Sequence, residues 1–275
     1  MKGTSKHMNY KLLALDIDGT LTNSEKIITP KTRQALIDAQ KKGVRLILAS
    51  GRPTEGVLPV AKELEMEKYG GLILSYNGAR VIDLANNKVV YEKTLPAEII
   101  PVISDLAHQY RLGVLTYVGG AVITETPNDP YIQLEARINK IPLRGVKDFV
   151  SAVTEKEPKC LMTGNGSYMG EVEPEIAKAL EGLSVYRSES FFLEIMPENI
   201  DKALSLEKIC EYTGVKREEL AACGDGYNDI PMIRYAELGI AMANAKEPVK
   251  EAADAVTLSN DEDGIAAAIE KYFVF

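Results

Sequence analysis

The sequence of 275 residues predicts an α/β protein: a doubly wound, Rossmann-like parallel sheet that carries an inserted α+β domain. Two observations predict this fold class. Apolar strands and amphipathic helices alternate near both ends of the chain, which is typical of βαβ units and a parallel sheet. The middle of the chain instead shows pairs of short strands around turns, which require antiparallel pairing.

The first βαβ run begins with an apolar segment that ends at Asp16, as in a strand buried on both faces. Thr29 and Pro30 supply an N-cap and a first-turn proline for the helix that follows. We predict strands over 11–15, 44–49 and 71–75 and helices over 31–42 and 54–66.

From about Ala79 the pattern changes to hairpins, centred at Asn86-Asn87 and Gly119-Gly120, with a helix over 96–110 between them. The βαβ pattern returns after Asn199. There we predict helices over 201–213, 228–237, 246–253 and 261–273 and strands over 220–223, 238–242 and 255–259. The expected domains are therefore a core, 8–84 with 193–275, and an insert, 85–192, with residues 1–7 as an expression leader.

The formal net charge is −8, and no cluster of Lys and Arg offsets it. Such a chain repels nucleic acid and anionic membranes, so we expect neither as a partner. No apolar run approaches the length of a bilayer, and three scattered cysteines indicate a reducing compartment, so we expect a cytoplasmic protein. An acidic chain can still bind a phosphate ester where a bound cation reverses the local field, which favours a metal site.

Histidine is scarce. The two histidines are His7, in the expected leader, and His108, in a predicted amphipathic helix where a surface role is the simpler interpretation. Mechanisms that depend on a histidine base would have to use His108 alone. We therefore expect any chemistry here to use carboxylates.

Four short polar segments follow predicted strands or begin predicted helices, where open α/β sheets bind ligands. Each has a simpler structural explanation when it stands alone: an Asx-turn, a glycine turn, a solvated lysine or a helix N-cap. The segments are Asp16-Ile17-Asp18-Gly19-Thr20, Ser50-Gly51-Arg52, Lys202, and Gly224-Asp225-Gly226-Tyr227-Asn228-Asp229. Together they supply paired carboxylates, a hydroxyl beside exposed amides, an ammonium and a rigid oxygen-rich loop suited to Mg²⁺.

In this order the four segments resemble the motifs of the haloacid dehalogenase-like (HAD) superfamily, in its Cof-type branch of capped sugar-phosphate phosphatases. The resemblance extends over essentially the whole chain from Met8 and includes the stretches 75–79, 241–245 and 259–264. It implies a HAD core with an inserted cap domain, Mg²⁺ as cofactor, and hydrolysis of a small-molecule phosphate ester through a phosphoaspartyl intermediate on Asp16.

The resemblance also implies roles by position. Asp16 would be the nucleophile and Asp18 the general acid/base. The metal would be held by Asp16, the backbone carbonyl of Asp18, Asp225 and, in support, Asp229. The phosphoryl oxygens would be held by Ser50, the amides of Ile17 and Gly51, Lys202 and Asn228, with Arg52, Asn77 and Asn244 lining the mouth.

The segment before the lysine departs from the family pattern, because Pro197-Glu198-Asn199-Ile200-Asp201 stands where relatives carry a Gly-Val-Ser-like run. A phosphomutase of the same superfamily is an alternative; it would need a second phosphate site, for which Arg137, Arg144 and Arg187 are candidates. A phosphoryl-accepting receiver-like module is a second alternative, although such modules are about half this length. Sugar phosphates, pyridoxal phosphate and flavin precursors all remain open as substrates.

Overall fold

The computed structural model describes residues 9–274, so the expected leader lies outside the described residues. The strands, in chain order, are β1 (Leu12–Leu15), β2 (Arg45–Ala49), β3 (Leu72–Ser75), β4 (Arg80–Asp83), β5 (Lys88–Glu92), β6 (Gly113–Val118), β7 (Ala121–Thr124), β8 (Leu143–Gly145), β9 (Cys160–Thr163), β10 (Leu183–Glu189), β11 (Phe192–Pro197), β12 (Leu220–Gly224), β13 (Leu238–Ala241) and β14 (Ala255–Val256).

The helices, in chain order, are α1 (Pro30–Lys41), α2 (Thr54–Glu63), α3 (Ile99–Gln109), α4 (Pro130–Asn139), α5 (Phe149–Ala152), α6 (Gly166–Ala179), α7 (Lys202–Thr213), α8 (Ile230–Tyr235), α9 (Glu247–Ala252) and α10 (Gly264–Tyr272). Short 3₁₀ turns lie at Tyr76–Gly78, Arg217–Glu219, Tyr227–Asp229 and Asn260–Glu262. Between residues 9 and 274, none of the helices combines the length and the apolar character needed to cross a membrane.

The chain forms two compact units, described residues up to Tyr91 with Asp201 onward, and Glu92–Ile200. The first, the core unit, contains an eight-stranded sheet in the order β14-β13-β12-β1-β2-β3-β4-β5. Its strands from β14 to β3 pair in parallel, and β4 pairs antiparallel with β3. The predicted doubly wound α/β fold is confirmed.

Buried apolar strands explain the central position of β1 in this sheet. Every residue of Leu12–Leu15 is buried, and the strand pairs on both sides, with β12 and with β2. A strand without a polar face fits only where helices cover both sides of the sheet. From β1 the chain builds β2 and β3 on one side and later returns to build β12, β13 and β14 on the other. The ends of β1 and its neighbours therefore form a topological switch point, where such sheets bind ligands.

The second, the inserted unit, has its own six-stranded sheet in the order β10-β11-β9-β6-β7-β8. Most pairs are antiparallel, and β7 pairs with β8 in parallel. This unit has a separate apolar cluster, which includes Ile103, Phe149, Cys160, Ile176 and Leu193. The predicted α+β character of the insert is confirmed.

The boundaries differ from those expected. The hairpin of β4 and β5 extends the edge of the core sheet, so the insert begins at Glu92 and not at residue 85. At the other end β11 pairs with β9 and β10, which places it in the sheet of the insert and not in the core that was expected to resume at residue 193. A hairpin pattern in the sequence specifies antiparallel pairing but not the sheet to which the hairpin is added.

Candidate active site

Three strands of the core sheet end at polar residues. Asp16 follows β1, Ser50 follows β2 and Asp225 follows β12. Because β1 lies between β12 and β2, these three residues come to the same edge of the sheet, at the switch point. Asp16 and Ser50 are buried, whereas Asp225 is partly exposed.

Lys202 is the centre of the polar cluster at this edge. Its Nζ lies 2.7 Å from Oδ1 of Asp16 and 2.6 Å from Oδ1 of Asp229, and it also donates to the carbonyl oxygen of Ala49 at 2.7 Å. Lys202 and Asp229 are almost fully buried, and a buried ammonium is stable only where charges and acceptors surround it. An ammonium has three donors, and here each has an acceptor of the protein. The structure therefore brings Lys202 to the site, with its donors directed to the carboxylates and to β2.

The position of Lys202 follows from helix capping. Lys202 is the first residue of α7, and the carboxylate of Asp201 caps this helix by accepting from the amide of Leu204 at 2.8 Å. Asn199 has a left-handed φ of 54°, which turns the chain towards the helix. The unusual segment before the lysine thus ends in a regular N-cap and delivers the ammonium to the carboxylates.

The loop after β12 folds around Asp229. Oδ2 of Asp229 accepts from the amides of Asp225 at 3.0 Å and of Gly226 at 2.9 Å, which holds the loop closed. Thr20 donates its hydroxyl to Oδ1 of Asp225 at 2.7 Å and so orients that carboxylate. Gly19 has φ +89°, and a side chain there would collide with Oδ2 of Asp225. The turn after β1 thus requires glycine for two reasons, its conformation and its contact.

Burial and charge act against each other on these carboxyl groups. Burial, reinforced by Asp229, raises the pKa of Asp16 to about 7, and the charge of Lys202 opposes this rise. Burial also raises the pKa of Asp225, against the hydrogen bond from Thr20. For Lys202, the charges of Asp16 and Asp229 outweigh burial and raise its pKa, so it stays protonated. Carboxylates crowded in this way require a cation to ionise together.

The donor set fits such a cation. One carboxylate oxygen from each of Asp16, Asp225 and Asp229 lies within 4.8 Å of the others, so these residues could hold a metal ion together. All three ligands are oxygen atoms on a rigid edge, which is the chemistry that hard divalent cations prefer.

Asp18 has different partners. Its carboxylate accepts a two-pronged contact from Arg52, Nε to Oδ2 at 2.8 Å and Nη2 to Oδ1 at 2.8 Å, and Lys26 donates to Oδ1 at 3.0 Å. Burial raises the pKa of Asp18, but the hydrogen bonds and charges of Arg52 and Lys26 outweigh burial and lower it overall. The carboxyl group expected to give a proton is thus held as an anion in this structure.

The remaining predicted residues form the surroundings. Ser50 is buried, and its hydroxyl accepts from the amide of Arg52 at 3.2 Å. Asn77, partly exposed, accepts at 3.2 Å from the amide group of the exposed Asn228, so the two lie together at the rim. Asn244 is exposed, and it donates to the carbonyl oxygen of Gly19 at 2.8 Å.

The two residues predicted to act through their backbone amides, Ile17 and Gly51, lie in turns next to the strand ends. Ile17 is buried, and its carbonyl accepts from both the amide and the hydroxyl of Thr22 at 2.9 Å. A Cβ on Gly51 would lie 3.1 Å from Oδ1 of Asn77, so a side chain there would require Asn77 to shift. Both residues therefore lie in turns that are fixed beside the strand ends.

Comparison with known proteins agrees with this geometry. Residues 13–269 match the sequence profile of the haloacid dehalogenase-like hydrolases. The chain belongs to this family. The predicted resemblance is therefore confirmed, since the match covers nearly all of the chain.

Relatives of this HAD protein include phosphatases. YcsE of Bacillus subtilis (strain 168), a 5-amino-6-(5-phospho-D-ribitylamino)uracil phosphatase, is 31% identical over 269 residues, which cover 96% of each chain. The solved structure of a haloacid dehalogenase-like hydrolase from Bacteroides thetaiotaomicron is 50% identical, with a TM-score of 0.94, over 96% of this chain and 100% of the other. The solved structure of BT4131, a HAD subclass IIB sugar phosphatase, is 27% identical, with a TM-score of 0.78, over 94% of this chain and 98% of the other. The chain is an enzyme of the phosphatase class, a hydrolase of phosphoric monoesters.

Sequence reasoning missed three contacts of the site: Thr20 to Asp225, Lys26 to Asp18, and Arg52 to Asp18. Thr20 lies in the same turn as the predicted carboxylates, and its position there could have been considered as a ligand-orienting hydroxyl. The two cations on Asp18 had no signal in the sequence, because side-chain direction in a turn is not set by strand periodicity.

Proposed function

We propose that this HAD protein is a magnesium-dependent phosphatase that hydrolyses a small phosphorylated metabolite, a sugar phosphate, through a phosphoaspartyl intermediate on Asp16. The observation that carries the proposal is the cluster of three carboxylates: one oxygen from each of Asp16, Asp225 and Asp229 lies within 4.8 Å of the others, beside the ammonium of Lys202. The substrate class is supported by BT4131, a sugar phosphatase, and by YcsE, whose substrate carries a phosphorylated ribityl chain.

Asp16, Asp225 and Asp229, with the backbone carbonyl of Asp18, would hold the Mg²⁺. When bound, the ion reduces the repulsion between a carboxylate nucleophile and an anionic phosphate. Carboxylate and carbonyl oxygens are the ligands that Mg²⁺ takes from proteins.

In the first step a carboxylate oxygen of Asp16 forms a bond to phosphorus, and the bond from phosphorus to the leaving oxygen breaks. Asp18 gives its proton to that oxygen, which requires its protonated form, whereas Arg52 and Lys26 favour the ionised form in this structure. In the second step water attacks phosphorus, Asp18 takes a proton from it, and inorganic phosphate leaves as the carboxylate of Asp16 is restored. Asp18 thus ends the cycle with the proton that it had at the start.

The other residues stabilise charge. Lys202 fixes the orientation of Asp16, because its Nζ donates to Oδ1 of Asp16 at 2.7 Å. The charge of Lys202 also reduces the negative potential at the nucleophile. The hydroxyl of Ser50, the amides of Ile17 and Gly51 and the side chain of Asn228 would hold the phosphoryl oxygens. Arg52, Asn77 and Asn244 would border the substrate.

We further propose that residues 92–200 act as the cap that selects the leaving group, in a cytoplasmic enzyme. A phosphomutase would require a second phosphate site, and Arg187, one candidate, already forms an ion pair with Glu173 at 2.7 Å. Hydrolysis is therefore the function that we test.

Asp16→Asn tests the nucleophile. With p-nitrophenyl phosphate and MgCl₂ we expect turnover to fall by at least about 10³-fold, as when a covalent nucleophile is removed. Intact-protein mass spectrometry after acid quenching should show a phosphorylated species in the wild type and none in the variant. Asp38→Asn is the control, because this half-exposed carboxylate on α1 pairs with Lys41 and should leave turnover unchanged.

Metal removal tests the cofactor. EDTA should abolish turnover reversibly, and added Mg²⁺ should restore it. Full activity of Asp16→Asn would disprove the nucleophile, whereas normal turnover in EDTA would disprove only the metal requirement. Wild-type hydrolysis of sugar phosphates no faster than of p-nitrophenyl phosphate would contradict the proposed substrate class.

A further inference from the structure

Arg52 and Asp18 form a two-pronged charged contact at the site, and the mechanism above does not use this contact. Both nitrogens of the guanidinium edge lie 2.8 Å from the carboxylate, one on each oxygen. A two-pronged contact of this kind fixes the plane of a carboxylate as well as its distance, which a single ammonium cannot do.

Arg52 is itself anchored. Its amide donates to the hydroxyl of Ser50 at 3.2 Å, and its carbonyl accepts from the amide of Tyr76 at 3.0 Å. Its side chain is 18% exposed, whereas that of Lys26, the other cation on Asp18, is 62% exposed. The guanidinium therefore gives Asp18 a fixed direction relative to the turn that carries Ser50.

We propose that Arg52 is a positioning residue that holds the Asp18 carboxylate in the orientation from which it accepts the proton of the attacking water. The inference rests on the proposed phosphoaspartyl mechanism and adds a residue to its second half. Among the described residues Oδ2 of Asp18 accepts from Nε of Arg52 alone, whereas Oδ1 accepts from both Arg52 and Lys26. Oδ2 therefore keeps a lone pair that can accept a proton while the guanidinium holds the carboxylate. Loss of this orientation should slow hydrolysis of the phosphoenzyme more than its formation from an ester with a good leaving group.

The test is rapid-mixing kinetics of Arg52→Gln with p-nitrophenyl phosphate and MgCl₂. Nitrophenolate needs little help from an acid to leave, so a burst equal to the enzyme concentration should remain, followed by a steady state about 10²-fold slower than wild type. Mass spectrometry during the steady state should show more phosphoenzyme than in the wild type. Arg52→Lys keeps the charge but not the two-pronged geometry, and it should show the same pattern with a smaller decrease.

Arg45→Gln is the matched control. Arg45 is the first residue of β2, the strand that leads to Arg52 at its other end, and its Nε donates to the carbonyl oxygen of Gly70, away from the site. It should keep the wild-type burst and steady state. A rise in KM with unchanged kcat in Arg52→Gln would show that Arg52 binds substrate instead. Equal loss of burst and steady state without phosphoenzyme would overturn the proposal, provided that thermal melting shows a folded protein. Absence of phosphoenzyme in both the wild type and Arg52→Gln would refute the proposed phosphoaspartyl intermediate and, with it, this assignment. Phosphoenzyme in the wild type with no increase in Arg52→Gln would refute this assignment alone.

Discussion

At the scale of single residues, Gly19 shows how the backbone conformation of one turn and the carboxylates of the candidate site depend on each other. Its φ of +89° lies in a region that side chains avoid, and the space that a Cβ would take belongs to Asp225. The carbonyl oxygen of Gly19 also accepts from Asn244 at 2.8 Å. The turn after β1 is therefore shaped around the carboxylate that follows β12.

Gly19→Ala should reduce both Mg²⁺ affinity and turnover, because the methyl group displaces Asp225. Gly43→Ala is the control, since Gly43 has φ +97° and a Cβ there would meet no atom of residues 9–274 within 4 Å. Both variants should lose about 1–2 kcal/mol of folding stability from the left-handed backbone. Calorimetric titration with Mg²⁺ should separate them, and equal affinity in the two variants would contradict this role of Gly19.

The sequence predicted that Asp16, Ser50 and Asp225 converge, because the ends of neighbouring parallel strands share one edge. It also predicted Asp229 and Lys202 at the site. It did not predict that Lys202 directs all its donors to protein acceptors, or that Asp18 faces Arg52. Those features depend on side-chain rotamers and on contacts between turns, and the periodicity of the sequence predicts neither.

At the scale of elements, the start of α7 determines the position of Lys202. The helix begins at that residue because Asp201 caps it, so a change in the cap alters both helix stability and the site. Loss of the cap would let the first turn fray, and the ammonium would lose its fixed position beside Asp16.

Asp201→Ala should therefore lower stability by about 1 kcal/mol and also lower kcat. Asn165→Ala removes an equivalent cap from α6, in the inserted unit, where Asn165 accepts from the amide of Ser167 at 3.0 Å. We expect a similar loss of stability there with unchanged kcat towards p-nitrophenyl phosphate. Chemical denaturation and steady-state kinetics measure the two effects, and equal kcat in both variants would argue against the link between cap and site.

Most elements were predicted in type, and the differences lie at their ends. The helix expected over 261–273 begins at Gly264, because Asp263 has a left-handed φ of 58° after a 3₁₀ turn. The helix expected over 228–237 divides into a 3₁₀ turn and α8, which ends where Ala236 becomes extended. Such ends depend on the loops that the neighbouring strands require and not on apolar periodicity.

At the scale of the whole molecule, the protein consists of two sheets with separate apolar clusters. The alternation of strands and helices was enough to predict the larger sheet and its insert. The expected bounds of the insert differ from those of the compact unit by seven and eight residues, since strand pairing over long distances decides to which sheet β5 and β11 belong.

Stability of the metal-free protein should depend on pH. Burial raises the pKa of Asp16 from 3.8 to about 7, so the folded state holds a proton that the unfolded chain releases at lower pH. This contribution is fully present below pH 4 and is lost as the pH rises through 7, on the order of 4 kcal/mol. The raised pKa of Asp225 acts in the same direction.

Urea denaturation in EDTA should therefore show lower stability at pH 8 than at pH 5, and Mg²⁺ should restore it. Asp16→Asn should reduce the difference between the two pH values. An unchanged difference in this variant would show that other groups cause it.

The charge of Lys202 also bears on the valence of the ion that the proposed metal site would accept. Three ionised aspartates and one lysine leave two uncompensated negative charges among the four groups. A single divalent ion cancels them, whereas sodium or potassium would leave the pocket anionic and hostile to a phosphate dianion. Without the lysine, even magnesium would fall short of neutrality. In the proposed metal site, discrimination against the abundant alkali ions would thus begin with electroneutrality.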